Sequence, residues 1–147
     1  MDLVEILREY CNSNDIEFSY GSQSVQNLLQ ANDSVEDTVY LLCDLVKEDD
    51  IVNKFNTGFV GTEYKGLLML GVKGDYTEHI YNENNSDYTE SKYTKNVKPM
   101  KELKRKIAKD LMCDGYDVKF TNSIDIYNYK DINLDGIIFS YNIKQYD

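Results

Sequence analysis

The chain has few of the residues that mark well-known functional classes. Its 147 residues include no Trp, one Pro, one His and three Cys. The single His79 has no second imidazole or thiol at ligand spacing, so a bound transition metal is not expected. The three cysteines are far apart and lack Cys-x-x-Cys spacing, which indicates reduced thiols rather than a disulfide framework.

Long apolar runs are also missing. No stretch approaches the roughly 18 consecutive apolar residues of a membrane-spanning helix. Residues 1–8 are acidic and amphipathic, whereas a secretory signal begins with basic residues and continues with an apolar run. We therefore expect a soluble protein made in the cytoplasm, with no membrane partner.

Positive charge is scarce and unevenly placed. The net charge is −10, with −9 in residues 1–75 and −1 in residues 76–147. Nonspecific affinity for nucleic acid should be weak, because it depends on a cationic surface. The basic residues cluster in a predicted helix that contains Lys101, Arg105 and Lys109. This cluster is a solvated helix face, a contact with an acidic neighbouring subunit or, as the third alternative, a contact with nucleic acid. We take these three residues as candidate interface residues.

The apolar residues that are present recur with helical or strand periodicity. Pro99 suits the first turn of a helix and Gly115 suits its end. Residues 22–30 are compatible with a short helix or an extended edge segment. The remaining predicted elements are a helix over 2–11, strands over 38–46 and 63–73, a helix over 99–115, and a hairpin of strands 116–129 and 136–143.

This order of elements predicts a single α+β domain over residues 1–147. We expect an antiparallel sheet of about four strands packed by two helices. Residues 75–96 contain one aliphatic residue, too few to compensate for the entropy of ordering, which predicts a long protruding loop or arm. Three of the four tyrosines of this arm are candidates for contact with a neighbouring subunit: Tyr81, Tyr88 and Tyr93.

Motifs for chemistry are weak or incomplete. Residues 131–136 match the opening of a calcium loop, but its twelfth position is Asn142 instead of a bidentate Glu. A hairpin turn is therefore predicted there. No serine nucleophile elbow is present, and His79 lies in the predicted loop, a poor platform for a general base. We expect no enzyme activity, no cofactor and no catalytic or metal-binding residue.

Three segments carry a resemblance to a known group of proteins. Residues 56–66, 124–128 and 133–136 are similar to segments of small neck and tail proteins of tailed bacteriophages. Among these, the chain most resembles tail-terminator-like ring proteins of phages that infect Bacteroides-type gut hosts, including crAss-like phages.

The resemblance implies an α+β virion protein that forms a closed ring of identical subunits around the DNA channel, in the head-tail connector or the tail. It implies contacts with portal, neck or tail proteins, passage of DNA through the lumen without sequence-specific binding, and synthesis in the host cytoplasm. The alternative from a different class is a small acidic phage-encoded interaction protein or inhibitor that binds a basic host protein.

Overall fold

The structure is a computed structural model that describes residues 1–22, 37–74, 80, 91–129 and 133–147. Its helices and strands are described below with labels in chain order. The elements are α1 (Leu3–Ser13), β1 (Glu17–Tyr20), β2 (Tyr40–Cys43), β3 (Lys47–Val52), β4 (Phe59–Lys73), a π-helical turn (Tyr93–Val97), α2 (Lys98–Cys113), β5 (Asp117–Tyr129) and β6 (Leu134–Tyr146).

Both helices begin and end where local chemistry favours it. The Asp2 carboxylate accepts a hydrogen bond from the Glu5 backbone N–H, and the Glu5 carboxylate accepts one from the Asp2 backbone N–H, so a capping box starts α1. Pro99 lies in the first turn of α2, and Gly115 follows its end with φ of +97°. The two helices are confirmed, with ends that differ from the predicted ends by no more than two residues.

The sheet is built around β4. Its strand order is β1-β2-β4-β6-β5, with β3 paired to β4 beyond the end of β2. One edge of β4 pairs with β6 from Gly61 to Lys73, and its other edge pairs first with β3 and then with β2. The β1–β2 pair is parallel and every other described pair is antiparallel.

Both helices pack on one face of this sheet. The main core cluster joins buried residues of α1 and α2 to residues such as Leu41, Leu70 and Phe139. Adjacent strand residues point to opposite faces, so Leu42 and Met69 form a second, smaller cluster on the other face. Among the described residues, no helix has the length and apolar character needed to cross a membrane.

The α+β class is confirmed, but the sheet has six strands and is mixed. The sequence pattern missed β1 and β3 for different reasons. β1 is only four residues long. β3 reads Lys-Glu-Asp-Asp-Ile-Val and is almost entirely exposed, so it lacks the apolar alternation that marks a half-buried strand.

Two predicted boundaries are also corrected. Leu134 and Asp135 were assigned to the hairpin turn but belong to β6. Residues 93–96 were assigned to the arm but lie in the π-helical turn that leads into α2. The rest of the arm, apart from residues 80, 91 and 92, lies outside the described residues, as do residues 23–30 and 131–132.

Candidate interaction site

A charged pair is buried near the β5–β6 end of the sheet. The exposed fraction is 1% for Lys92 and 0% for Asp135. Lys92 Nζ lies 3.4 Å from Asp135 Oδ1 and also donates a hydrogen bond to the side-chain oxygen of Asn128. The second carboxylate oxygen of Asp135 accepts from Asn96 Nδ2 at 2.8 Å. We call these four residues the Lys92–Asp135 cluster.

Backbone groups complete the hydrogen bonding of this cluster. The Asn128 N–H donates to Asp135 Oδ1 at 2.7 Å, and Asn128 Nδ2 donates to Asn133 Oδ1 at 2.6 Å. Asn133 in turn exchanges two hydrogen bonds with the backbone of Gly74. The cluster therefore ties the start of the helical segment, the β5–β6 hairpin and the end of β4 together. Its charges are paired and its acceptors occupied, which suits a structural role better than proton transfer.

The opposite end of β4 carries a preformed turn. We call residues 52–59, which join β3 to β4, the hairpin tip. The Asn53 side-chain oxygen accepts from the backbone N–H groups of Phe55 and Thr57 at 3.1 and 3.0 Å, and its Nδ2 donates to Thr57 Oγ1 at 2.9 Å. Asn56 has φ of +55°, a left-handed conformation that Asn tolerates. One asparagine side chain thus determines the shape of the turn.

The hairpin tip exposes large apolar side chains. Phe55 is 71% exposed and Phe59 is 69% exposed, and Val52 beside them is also exposed. Lys54 Nζ lies 5.0 Å from the centre of the Phe55 ring, so the tip presents a cation together with an aromatic ring. Burial of one such side chain contributes about 1.5–3 kcal/mol. An ordered turn that leaves two phenylalanines in water is characteristic of an interaction surface.

The stem of this hairpin is acidic. Glu48, Asp49 and Asp50 are exposed on β3, and none of them forms an ion pair within the described residues. β4 is the one strand that pairs with β3 in the described part of the chain. The hairpin therefore presents a line of unpaired negative charge that leads to an aromatic tip.

The three predicted interface residues of α2 have different environments. Lys101 Nζ lies 3.1 Å from Asp125 and 4.9 Å from the centre of the Tyr93 ring, so Lys101 and Tyr93 contact each other inside the chain. Arg105 and Lys109 are exposed and form no ion pair with any described residue. Arg105 and Lys109 thus remain available to a neighbour, whereas Lys101 already has a partner. Tyr81 and Tyr88 lie outside the described residues.

The cysteines divide into two buried thiols and one exposed thiol. Burial raises the pKa of Cys11 and of Cys43 to about 12, and Cys113 is exposed. Among the described residues, no group of three or more His, Cys, Asp or Glu side chains could hold a metal ion.

Sequence reasoning missed the residues of both ends of β4. Asp135 was assigned to the hairpin turn, and neither Phe55 nor Phe59 was taken as a candidate interface residue. A short segment that contains Asn53, Asn56 and Gly58 is typical of a tight connection and could have identified the hairpin. The hairpin was not recognised because the charged residues of β3 did not indicate a strand before the turn.

Comparison of the chain with protein-family models, with curated proteins and with solved structures finds no significant match in any of the three.

Proposed function

We propose that the protein is a non-enzymatic virion structural protein that forms a ring of identical subunits in the head-tail connector or tail of a tailed phage. The observation that carries this proposal is the preformed hairpin tip, which holds Phe55 and Phe59 in water at the end of an acidic stem. Such a tip is stabilised by burial in an assembly and contributes little to an isolated subunit.

A ring of identical subunits needs two different surfaces on each subunit that fit each other. The chain has an acidic surface at Glu48 and Asp50 and a basic surface at Arg105 and Lys109. Opposite charges on two surfaces favour encounter in one relative orientation and disfavour the others. The distribution of charge therefore supports head-to-tail association of identical copies.

The same assembly would contact portal, neck or tail proteins at its upper and lower rims. With a net charge of −10 the ring would have weak affinity for DNA, which is compatible with passage of DNA through its lumen. The hydrogen-bonded Lys92–Asp135 cluster supports a structural rather than a catalytic use of the buried charges.

A second candidate is a small acidic phage-encoded protein that binds a basic host protein. It is favoured by the three consecutive exposed carboxylates of β3, Glu48, Asp49 and Asp50, which could face a cationic partner. In that case the protein would act as a monomer or dimer, and its tip would contact a different protein.

Native mass spectrometry and negative-stain electron microscopy of the concentrated protein test the proposal. We expect a closed oligomer of one size that weakens as salt is raised, because exposed charge pairs are screened. Proteomic analysis of purified particles should find the chain among the virion proteins. A monomer at every concentration, absent from particles, would support the acidic binding protein instead.

A further inference from the structure

The helical layer contains a cleft that suits the hairpin tip. The cleft has a volume of about 460 Å³ and lies between α1 and the C-terminal end of α2. Its apolar lining includes Ile6, Tyr10 and Tyr116. A cleft of this size accommodates a small ligand or an aromatic side chain with its neighbour.

The charge of the cleft is opposite to the charge of Lys54 in the hairpin tip. Glu9, Asp110 and Asp114 line it. Hydrogen bonds from Lys106 and Tyr10 hold the pKa of Asp110 below its usual range, so this carboxylate is ionised at neutral pH. Within the described residues, neither Glu9 nor Asp114 forms an ion pair. Two carboxylates at the cleft therefore remain free for a cation beside an aromatic ring.

The tip and the cleft lie toward the same end of the sheet. Asp117, which follows the cleft residue Tyr116, pairs with Lys144, and Lys144 pairs with Glu63 near the base of the hairpin. Heterologous contacts between such surfaces generate a ring where the rotation between neighbouring copies closes.

We propose that the hairpin tip of one subunit, led by Lys54 and Phe55, inserts into the α1–α2 cleft of the next copy of this chain. The contact rests on the proposed function, because it specifies which two surfaces join neighbouring subunits. Lys54 lies against Glu9 and Asp114 of the neighbouring copy, and Phe55 packs against the apolar lining.

Charge reversal tests the energetics of this contact. Lys54→Glu and the double variant Glu9→Lys, Asp114→Lys should each raise the dissociation constant of the assembly by roughly tenfold or more. Mixed in equal amounts, the two proteins should associate with each other better than either does alone. Lys73→Glu is the matched control, because it makes the same change in charge at the other end of β4 and should associate like the wild type.

Thiol crosslinking tests proximity, since the exposed Cys113 lines the cleft. One protein carries Gly58→Cys and Cys113→Ser, which keeps Lys54 and both phenylalanines of the tip, and the other is the size-tagged wild type. A side chain at Gly58 meets only ordinary contact distances. Mild oxidation of the mixture should yield heterodimers linked through the introduced thiol and the native Cys113. Replacing Gly58→Cys by Ile124→Cys, at an exposed position of β5, should abolish the heterodimer.

The possible outcomes separate this inference from the proposed function. If Lys54→Glu assembles normally, the tip-in-cleft contact is wrong and the ring proposal stands. The same holds if crosslinking gives no heterodimer above the Ile124→Cys control. Impaired association of each variant without recovery in the mixture also overturns it. A wild type that never assembles overturns the proposed function, and the contact with it.

Discussion

At one end of β4 the chain buries Lys92 and Asp135, and at the other end it exposes Phe55 and Phe59. β4 is 15 residues long, so these two regions are roughly 45 Å apart. Globular proteins ordinarily place charge outside and aromatic rings inside. The two regions therefore have different roles. The Lys92–Asp135 cluster stabilises the subunit, and the hairpin tip is ordered for contact with another protein molecule.

Both regions rely on asparagine. Asn128 and Asn133 have φ of +46° and +52° beside the buried cluster, and Asn56 has φ of +55° in the tip. Asparagine tolerates this left-handed backbone and supplies a donor and an acceptor for the nearby chain. The difference lies in what surrounds the turn. The start of the helical segment and parts of three strands surround the buried cluster, whereas no described element covers the tip.

The largest expected effect is loss of the buried pair. Asp135→Ala leaves the Lys92 ammonium buried without its carboxylate, which should reduce the free energy of unfolding by about 3–5 kcal/mol. Urea denaturation followed by circular dichroism measures this change. The double variant Lys92→Met, Asp135→Leu is the control and should be more stable than Asp135→Ala, since it leaves no unpaired charge. A loss under about 1 kcal/mol in Asp135→Ala would show that the cluster is not closed to water.

The alkylation rates of the three thiols distinguish the interior of the subunit from its surface. At pH 8 the exposed Cys113 should react rapidly with an alkylating reagent. Cys11 and Cys43, each with a pKa of about 12, should react slower by on the order of a thousandfold or more, because the thiolate is the reactive form. Mass spectrometry over time should show one adduct first and three only after unfolding. Rapid addition of three adducts to the folded protein would contradict a closed core.

A smaller effect is expected at the turn of the tip. Asn53→Ala removes the side-chain hydrogen bonds to Phe55 and Thr57, which should cost about 0.5–1.5 kcal/mol. Hydrogen exchange should rise in residues 52–59 and stay unchanged in α2. Asn12→Ala, at an exposed position of α1, is the matched control. Equal exchange of the tip in both variants would mean that Asn53 does not organise it.

The smallest effect on stability is expected for the exposed rings. Phe55→Ser and Phe59→Ser should change the free energy of unfolding of the subunit by less than about 0.5 kcal/mol, because these side chains are already in water. Thermal unfolding of the isolated subunit measures this. Phe139→Ala provides the interior comparison and should cost about 3–5 kcal/mol, since Phe139 is fully buried. A large loss in Phe55→Ser would indicate that the tip packs within its own subunit.

Prediction from sequence succeeded where one element carries its own periodic pattern. The apolar stripe of α2 and the alternation in β5 and β6 were sufficient, because each reports a face buried against a continuous core. It failed for β3, whose charged residues pair with β4 through the backbone and bury almost nothing. It also failed for Asp135, because an Asp next to Gly is far more common in turns than inside a strand.

The amino-acid sequence by itself determined the two helices, the long apolar strand β4 and the acidic balance of the chain. Those features depend on residues that are neighbours along the chain, such as the capping pair Asp2 and Glu5. The tertiary structure alone decided the parallel β1–β2 pair, the burial of Asp135 and the exposure of Phe55. Each of these depends on groups that are distant in sequence. Asp135 is buried because Lys92 and Asn96 reach it from the start of the helical segment. Phe55 is exposed because no described segment returns to cover it.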